Sequence, residues 1–234
     1  GRGAGPGGGG GGAVIRLTKV IPAAAGLGGG SSDAAAVLMA LHRLWNLSLP
    51  WEEVLALGLT LGADVPIFLG GSAALAEGVG ERLTPWPDLP EVPLVLVNPG
   101  VPLATAQVFK ALAGPWPDPA RPLPLPQARA TPSDDVAALA ALLENDLEPV
   151  SRRLQPAIGA AAEALRQAGA RGVLMSGSGP TVFGLFVSDD EAHQAARTLG
   201  AVHPHWLAIA GRTANRHPFE AEWAAWRQSR TFFP

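Results

Sequence analysis

The sequence predicts an α+β protein of two domains, the second a ferredoxin-like α/β sandwich. Three observations carry that expectation. A glycine-rich bend at residues 22–32 joins a strand-like stretch to an amphipathic helix. Trp86-Pro87-Asp88-Leu89-Pro90 is a turn-rich break, where a domain boundary is expected. Beyond it the pattern runs strand, helices, two strands, helix, strand, the order of a split βαβ unit.

The elements follow in chain order. Residues 1–12 are mostly glycine, can bury nothing, and are expected to be disordered. Ala13 to Ile21 reads as a strand, with Ile15 and Leu17 on one face and Arg16 and Thr18 on the other. The helix after the glycine bend is expected to begin near Ser31 and end near Asn46. Val37, Leu38, Leu41, Leu44 and Trp45 would form its apolar face. A second helix is expected over 50–61, with Glu52 and Glu53 in its first turn and Gly62 as its stop.

Val92–Val97 reads as a buried strand. Seven prolines between 114 and 133 predict an extended loop. Helices are expected over 134–144 and 155–168, the latter closed by Gly169. Gly172–Met175 and Thr181–Val187 read as strands joined by a Ser-Gly-Ser-Gly turn. A helix at 189–199 and a strand at 205–210 complete the second domain. From Thr213 the aromatic tail, with Trp223, Trp226, Phe232 and Phe233, is expected to form an amphipathic helix. The expected divisions are thus 1–12, 13–90, 91–212 and 213–234.

Composition narrows the function. The chain has 234 residues, 47% of them hydrophobic, enough for a substantial core. A net charge of −3 and a pI near 6.0 supply no basic stripe for nucleic acid or a membrane surface. With no cysteine, disulfides and thiolate metal sites are excluded. Val54–Ala76 is largely apolar, yet Asp64 sits near its middle, and glycines and a proline break it. It reads as a buried helix, a turn and another apolar element. No stretch resembles a secretory leader, so cytoplasm is the simplest address.

The chemistry is concentrated in Pro22-Ala23-Ala24-Ala25-Gly26-Leu27-Gly28-Gly29-Gly30-Ser31-Ser32. Glycines let backbone amides crowd an anion, and the helix that follows aims its free N–H groups and positive dipole end at the same place. The Walker A loop is excluded because no lysine follows the glycines. The dinucleotide fingerprint fails because Ser31 stands where a third glycine is required. A protein-kinase loop lacks its partner motifs.

What fits is Pro-x3-Gly-Leu-Gly-x-Gly-Ser, which resembles the GHMP kinases, the superfamily of galactokinase, homoserine kinase and mevalonate kinase. Leu61-Gly62-Ala63-Asp64-Val65-Pro66-Ile67-Phe68 resembles a second family signature, whose aspartate is the proposed catalytic base. Ala76-Glu77-Gly78-Val79-Gly80-Glu81 also matches the family. Met175-Ser176-Gly177-Ser178-Gly179-Pro180-Thr181-Val182-Phe183 is similar to the family's C-terminal glycine loop, which approaches the nucleotide phosphates. The resemblance covers roughly residues 13–212. It is closest to the branch that phosphorylates a cytidine-diphosphate-linked methylerythritol in the non-mevalonate isoprenoid pathway.

The resemblance implies a two-domain GHMP architecture, with an N-terminal ribosomal protein S5 domain 2-like fold, truncated here, and a ferredoxin-like C-terminal domain. It implies transfer of the γ-phosphoryl of ATP, with Mg²⁺, to a tertiary hydroxyl of that small molecule. ATP would be held by residues 22–32 together with Gly177, Ser178 and Gly179. Ser31 or Ser32 would meet Mg²⁺ or a phosphate oxygen, and the sequence leaves open which. Asp64 would take the hydroxyl proton; the plainer alternative is an N-cap for the next turn. Phe109 falls where the family stacks an aromatic on cytosine; the plainer alternative is core packing. His203 and His205 have metal-like spacing, but two imidazoles seldom suffice and a strand-edge pair is the reading. Asn145-Asp146 resembles a family pair before a helix and reads as capping.

Two family features are missing. Neither the Pro-Ala-Lys-x-Asn-Leu strand nor the Gly-Tyr-His segment occurs, and Lys19 stands in a different place from the family lysine. For the chain as it stands, the expectation is weak or absent phosphorylation. The alternatives are another GHMP small-molecule kinase and a nucleotide-binding remnant without turnover. Oligomeric state is not legible in the sequence.

Overall fold

The computed structural model describes residues 12–86, 89–112 and 132–216. The glycine run at 1–11, most of the proline-rich loop and the tail from 217 lie outside the described residues, so the expectations placed on them have no counterpart here. The chain divides into two compact units, one formed by 1–20, 28–87 and 216–234 and the other by 21–27 and 88–215.

In the first unit, helices α1 (Gly29–Leu44), α2 (Trp51–Leu61) and α3 (Val65–Gly70) pack around Ala35, Met39, Val54, Val65 and Leu69. The buried stripe of α1 is Ala35, Met39 and His42, whereas Leu44 and Trp45 are exposed. The predicted apolar face is therefore rotated. Small Ala35 lets the helices approach, and His42 is buried with Nε2 3.3 Å from the Leu49 carbonyl. At Gly58 the approach is as tight, since a Cβ there would lie 2.7 Å from Leu69 Cδ1. The second apolar element of 54–76 is the short helix α3.

After α3 comes a hairpin of β1 (Ala74–Glu77) and β2 (Arg82–Pro85), antiparallel with Glu77 opposite Arg82. It was not expected from the sequence. Its four-residue strands are too short for alternation to register.

The strand expected at 13–21 is not formed. That segment has no regular secondary structure, is exposed, and finds no ladder partner among the described residues. Alternation alone does not make a strand, because its N–H and C=O groups need a neighbour. Lys19 instead ion-pairs with Asp33 of α1 at 2.5 Å.

The second unit is built on a four-stranded antiparallel sheet of β3 (Pro93–Asn98), β4 (Gly172–Met175), β5 (Val182–Leu185) and β6 (Leu207–Arg212). Their order across the sheet is β4-β5-β3-β6, the ferredoxin-like order. Val95 and Val97 of β3 are fully buried against Ile158, Ala161, Ala162 and Leu165 of α7 (Ala157–Gln167) and Ala192, Ala195 and Leu199 of α8 (Asp189–Val202). Helix α8 is capped by Ser188, which accepts from the Glu191 amide, and carries three acidic residues in its first turn.

Helix α5 (Pro132–Ala140) supplies Val136 and Leu139 to a smaller cluster with Val92 and Leu185. Helices α4 (Thr105–Ala111) and α6 (Glu148–Leu154) were not expected, each being only two turns long. The last strand begins at Leu207 rather than His205. His203 caps α8 and stacks on Trp206 with centroids 3.7 Å apart, so the two histidines are not a strand-edge pair. Among the described residues no helix is long and apolar enough to cross a membrane.

Candidate active site

In the second unit, the bend at 21–27 lies against the loop between β4 and β5. Ser176 Oγ donates to the Gly26 carbonyl at 2.8 Å, and the Thr181 amide donates to the Ala25 carbonyl at 3.3 Å. Gly26 has φ +73°, and a Cβ on it would meet the Ser176 carbonyl oxygen at 2.4 Å and that of Gly179 at 2.7 Å. Only glycine permits this approach. The 176–181 loop is closed by Ser176 N–H to Thr181 O and Gly179 N–H to Ser176 O, both 2.9 Å.

Polar groups, among them the buried Asn98, Glu148 and Ser151, hold this loop in place. Asn145 Nδ2 donates to the carbonyls of Met175 at 2.9 Å and Gly177 at 2.8 Å, while its Oδ1 accepts from the Leu147 amide. Ser151, fully buried, donates to the Ser178 carbonyl at 3.0 Å. Thr105 and Ser178 share a hydroxyl bond at 2.8 Å, and Asn98 Nδ2 donates to Thr181 Oγ1 at 2.9 Å. Glu148 accepts from the Met175 amide at 3.0 Å and pairs with Arg152.

In the first unit, α1 opens without a side-chain cap. Gly28 stands at the N-cap with φ +65°, and the helical ladder begins with Ser32 N–H to Gly28 O at 2.9 Å. The amides of residues 28–31 thus have no partner inside the helix. Phe68 of α3 covers Gly28 so closely that a Cβ there would meet its ring at 2.7 Å. The helix starts at Gly29 rather than Ser31, which puts both serines in the first turn and not at the cap.

Asp64 occupies the N-cap position of α3, is exposed, and makes no capping bond with its side chain. Its turn lies near α1, since a Cβ on Gly62 would be 3.9 Å from Ser31 Oγ. The hairpin tip closes on the same turn, a Cβ on Gly80 falling 2.3 Å from the Ala63 carbonyl oxygen. Glu81 braces that tip by accepting from the Val79 amide at 2.6 Å. Backbone hydrogen bonds to its carboxylate, the one from its own amide first, hold its pKa below the ordinary value.

Comparison with known proteins decides what these loops belong to. The GHMP kinases N terminal domain matches residues 3–72, and the GHMP kinases C terminal domain matches 128–205. The 4-diphosphocytidyl-2-C-methyl-D-erythritol kinase of Sinorhizobium medicae is 46% identical over 219 residues, covering 92% of this chain and 68% of that protein. The enzyme of the same name from Geobacter metallireducens is 48% identical, covering 84% of this chain and 67% of that protein. The chain belongs to the 4-diphosphocytidyl-2-C-methyl-D-erythritol kinase family of GHMP kinases.

A crystal structure of a kinase of that family superposes with a TM-score of 0.64 at 41% identity, covering 83% of this chain and 68% of that one. Homoserine kinase from Cytophaga hutchinsonii, at 17% identity and a TM-score of 0.61 over 86% of this chain and 69% of that one, shares the fold. As a member of this family the chain is an ATP-dependent small-molecule kinase.

Within this GHMP kinase the structure groups the expected residues by unit. Pro22–Leu27 fall with Gly177, Ser178 and Gly179; Gly28–Ser32 fall with Asp64. Phe109 lies on α4 and is 46% exposed. Asn145 does cap the turn before α6, but its two bonds to the glycine loop were not foreseen. Ser151, Thr105 and Asn98 were missed as well, since a lone polar residue in an apolar stretch gives no sign of what it meets.

Proposed function

We propose that this kinase transfers the γ-phosphoryl of ATP to the 2-hydroxyl of 4-diphosphocytidyl-2-C-methyl-D-erythritol, a step of non-mevalonate isoprenoid synthesis. The observation that carries this is the 46–48% identity to enzymes of that name along about two thirds of their length. The Gly62–Pro66 turn and both glycine loops fall inside the matched span.

The chemistry is mostly positioning and charge neutralisation. Amides at the start of α1 would hold phosphate oxygens. Asp64, exposed and free of capping duty, would accept the hydroxyl proton as that oxygen attacks the γ-phosphorus and ADP leaves. The exposed ring of Phe109 would stack on the cytosine, a contact worth about 1–3 kcal/mol.

At the first turn of α1, the Ser31 or Ser32 hydroxyl would be available to a magnesium ion. No cluster of three or more acidic or imidazole ligands exists among the described residues. Phosphate oxygens and water would therefore complete its ligand set. When bound, it would neutralise phosphate charge.

The test is a panel of acceptors with radiolabelled ATP: 4-diphosphocytidyl-2-C-methyl-D-erythritol, homoserine, mevalonate and galactose. Whatever label is transferred, however slowly, is expected on the cytidylylated acceptor alone. Transfer to one of the others, with none to it, would overturn the assignment.

A further inference from the structure

Every carbonyl of the 176–181 loop for which a bond is seen is engaged by the scaffold or within the loop itself. The Ser176 oxygen accepts from Gly179, the Gly177 oxygen from Asn145, the Ser178 oxygen from Ser151 and the Thr181 oxygen from Ser176. A trans peptide is planar, and its N–H points opposite its C=O. Fixing the Gly177 carbonyl on Asn145 therefore aims the Ser178 N–H away from Asn145. Fixing the Ser176 carbonyl inside the turn aims the Gly177 N–H outward in the same way. Neither amide donates a hydrogen bond among the described residues, although Ser178 is 7% exposed.

We propose that Asn145 is a positioning residue for phosphate: one carboxamide ties down two carbonyls and thereby presents the Gly177 and Ser178 amides to an anion. With the Ser176 and Gly177 carbonyls engaged, the amides next to them are left as donors, and converging donors favour phosphate oxygens. The two Nδ2 hydrogens of Asn145 are both used, on Met175 and Gly177, so no residue with a single donor replaces it. The inference rests on the reading of 177–179 as phosphate-contacting.

Two variants separate the possibilities. Asn145→Asp keeps the acceptor for the Leu147 amide but loses both donors, and Asn145→Ala loses everything. Affinity is measured by calorimetry with β,γ-imido-ATP and, separately, with adenosine, which lacks the phosphates. Both variants are expected to weaken imido-ATP about tenfold or more, with adenosine changed less than about twofold.

Equal weakening of both ligands, or no weakening, overturns the proposal. So does an effect of Asp alone, which is charge repulsion. Gly177→Ala is the control on the underlying reading. Its φ of +56° strains any side chain, and a Cβ would sit 3.3 Å from the Gly26 carbonyl oxygen. If it leaves imido-ATP binding untouched, the phosphate reading of the loop fails. If it weakens binding and the Asn145 variants do not, the loop reading stands and Asn145 is merely structural.

Discussion

Ser176 Oγ and the Gly26 carbonyl meet at 2.8 Å across 150 residues of sequence. That single bond joins two glycine loops whose residues lie far apart in the chain, and it exists only because Gly26 has no side chain. Replacing Gly26 by alanine places a Cβ within 2.7 Å of two backbone oxygens that cannot swing away. The left-handed backbone adds about 1–2 kcal/mol on its own. Urea unfolding of Gly26→Ala should show at least that loss, with a raised KM for ATP. Ser176→Ala should cost only about 1 kcal/mol, the worth of one hydrogen bond.

Asp64 separates catalysis from capping. A capping aspartate contributes about 1 kcal/mol to its helix. This side chain makes no such bond and is exposed. Asp64→Asn should leave the urea midpoint within experimental error while lowering kcat by a factor of about 10²–10⁴, the usual share of a general base. A shifted midpoint with kcat unchanged would return Asp64 to the capping role.

Phe109→Ala should be nearly silent in stability, within about 0.5 kcal/mol, because the ring is already half in solvent. Steady-state kinetics should show KM for the cytidylylated acceptor raised about fivefold or more, with KM for ATP unmoved.

Glu81 predicts a pH effect at the hairpin tip beside Ala63. Hydrogen bonds from its own amide and that of Val79 favour the carboxylate in the folded protein and lower its pKa from 4.5. The folded pKa lies below the unfolded one, so the contribution to stability is present above 4.5 and fades as pH falls through the lowered value. Glu81→Gln should flatten that acid limb when unfolding is followed from about pH 6 to about pH 3.

Elements whose periodicity is long, or whose ends carry glycine or an acidic first turn, were legible in the sequence. Helix α2 ends at Leu61 before Gly62, α8 starts at Asp189, and Gly172–Met175 is a strand as expected. The order of strands and helices in the second unit was enough to foresee its sheet. The two-turn helices α3, α4 and α6 and the hairpin were not, because so few residues cannot display a period. Ala13–Ile21 failed for a different reason: a strand is a property of a pair.

The rotated face of α1 teaches the same lesson. Leu44 and Trp45 carried more apolar weight than Ala35, yet packing chose the small residue that lets helices close. At the site, the glycines announced themselves through their spacing. The groups that orient them, Asn145, Ser151 and Thr105, could be seen only when the chain was folded, since each acts on a loop distant in sequence.

The central claim is that main-chain amides at the start of α1 grip the triphosphate. Amide chemical shifts of Gly28, Gly29, Gly30 and Ser31, followed by NMR, test it directly. Addition of imido-ATP with magnesium should move all four, and adenosine should leave them in place. Saturable imido-ATP binding that shifts amides elsewhere but none of these four would contradict the account.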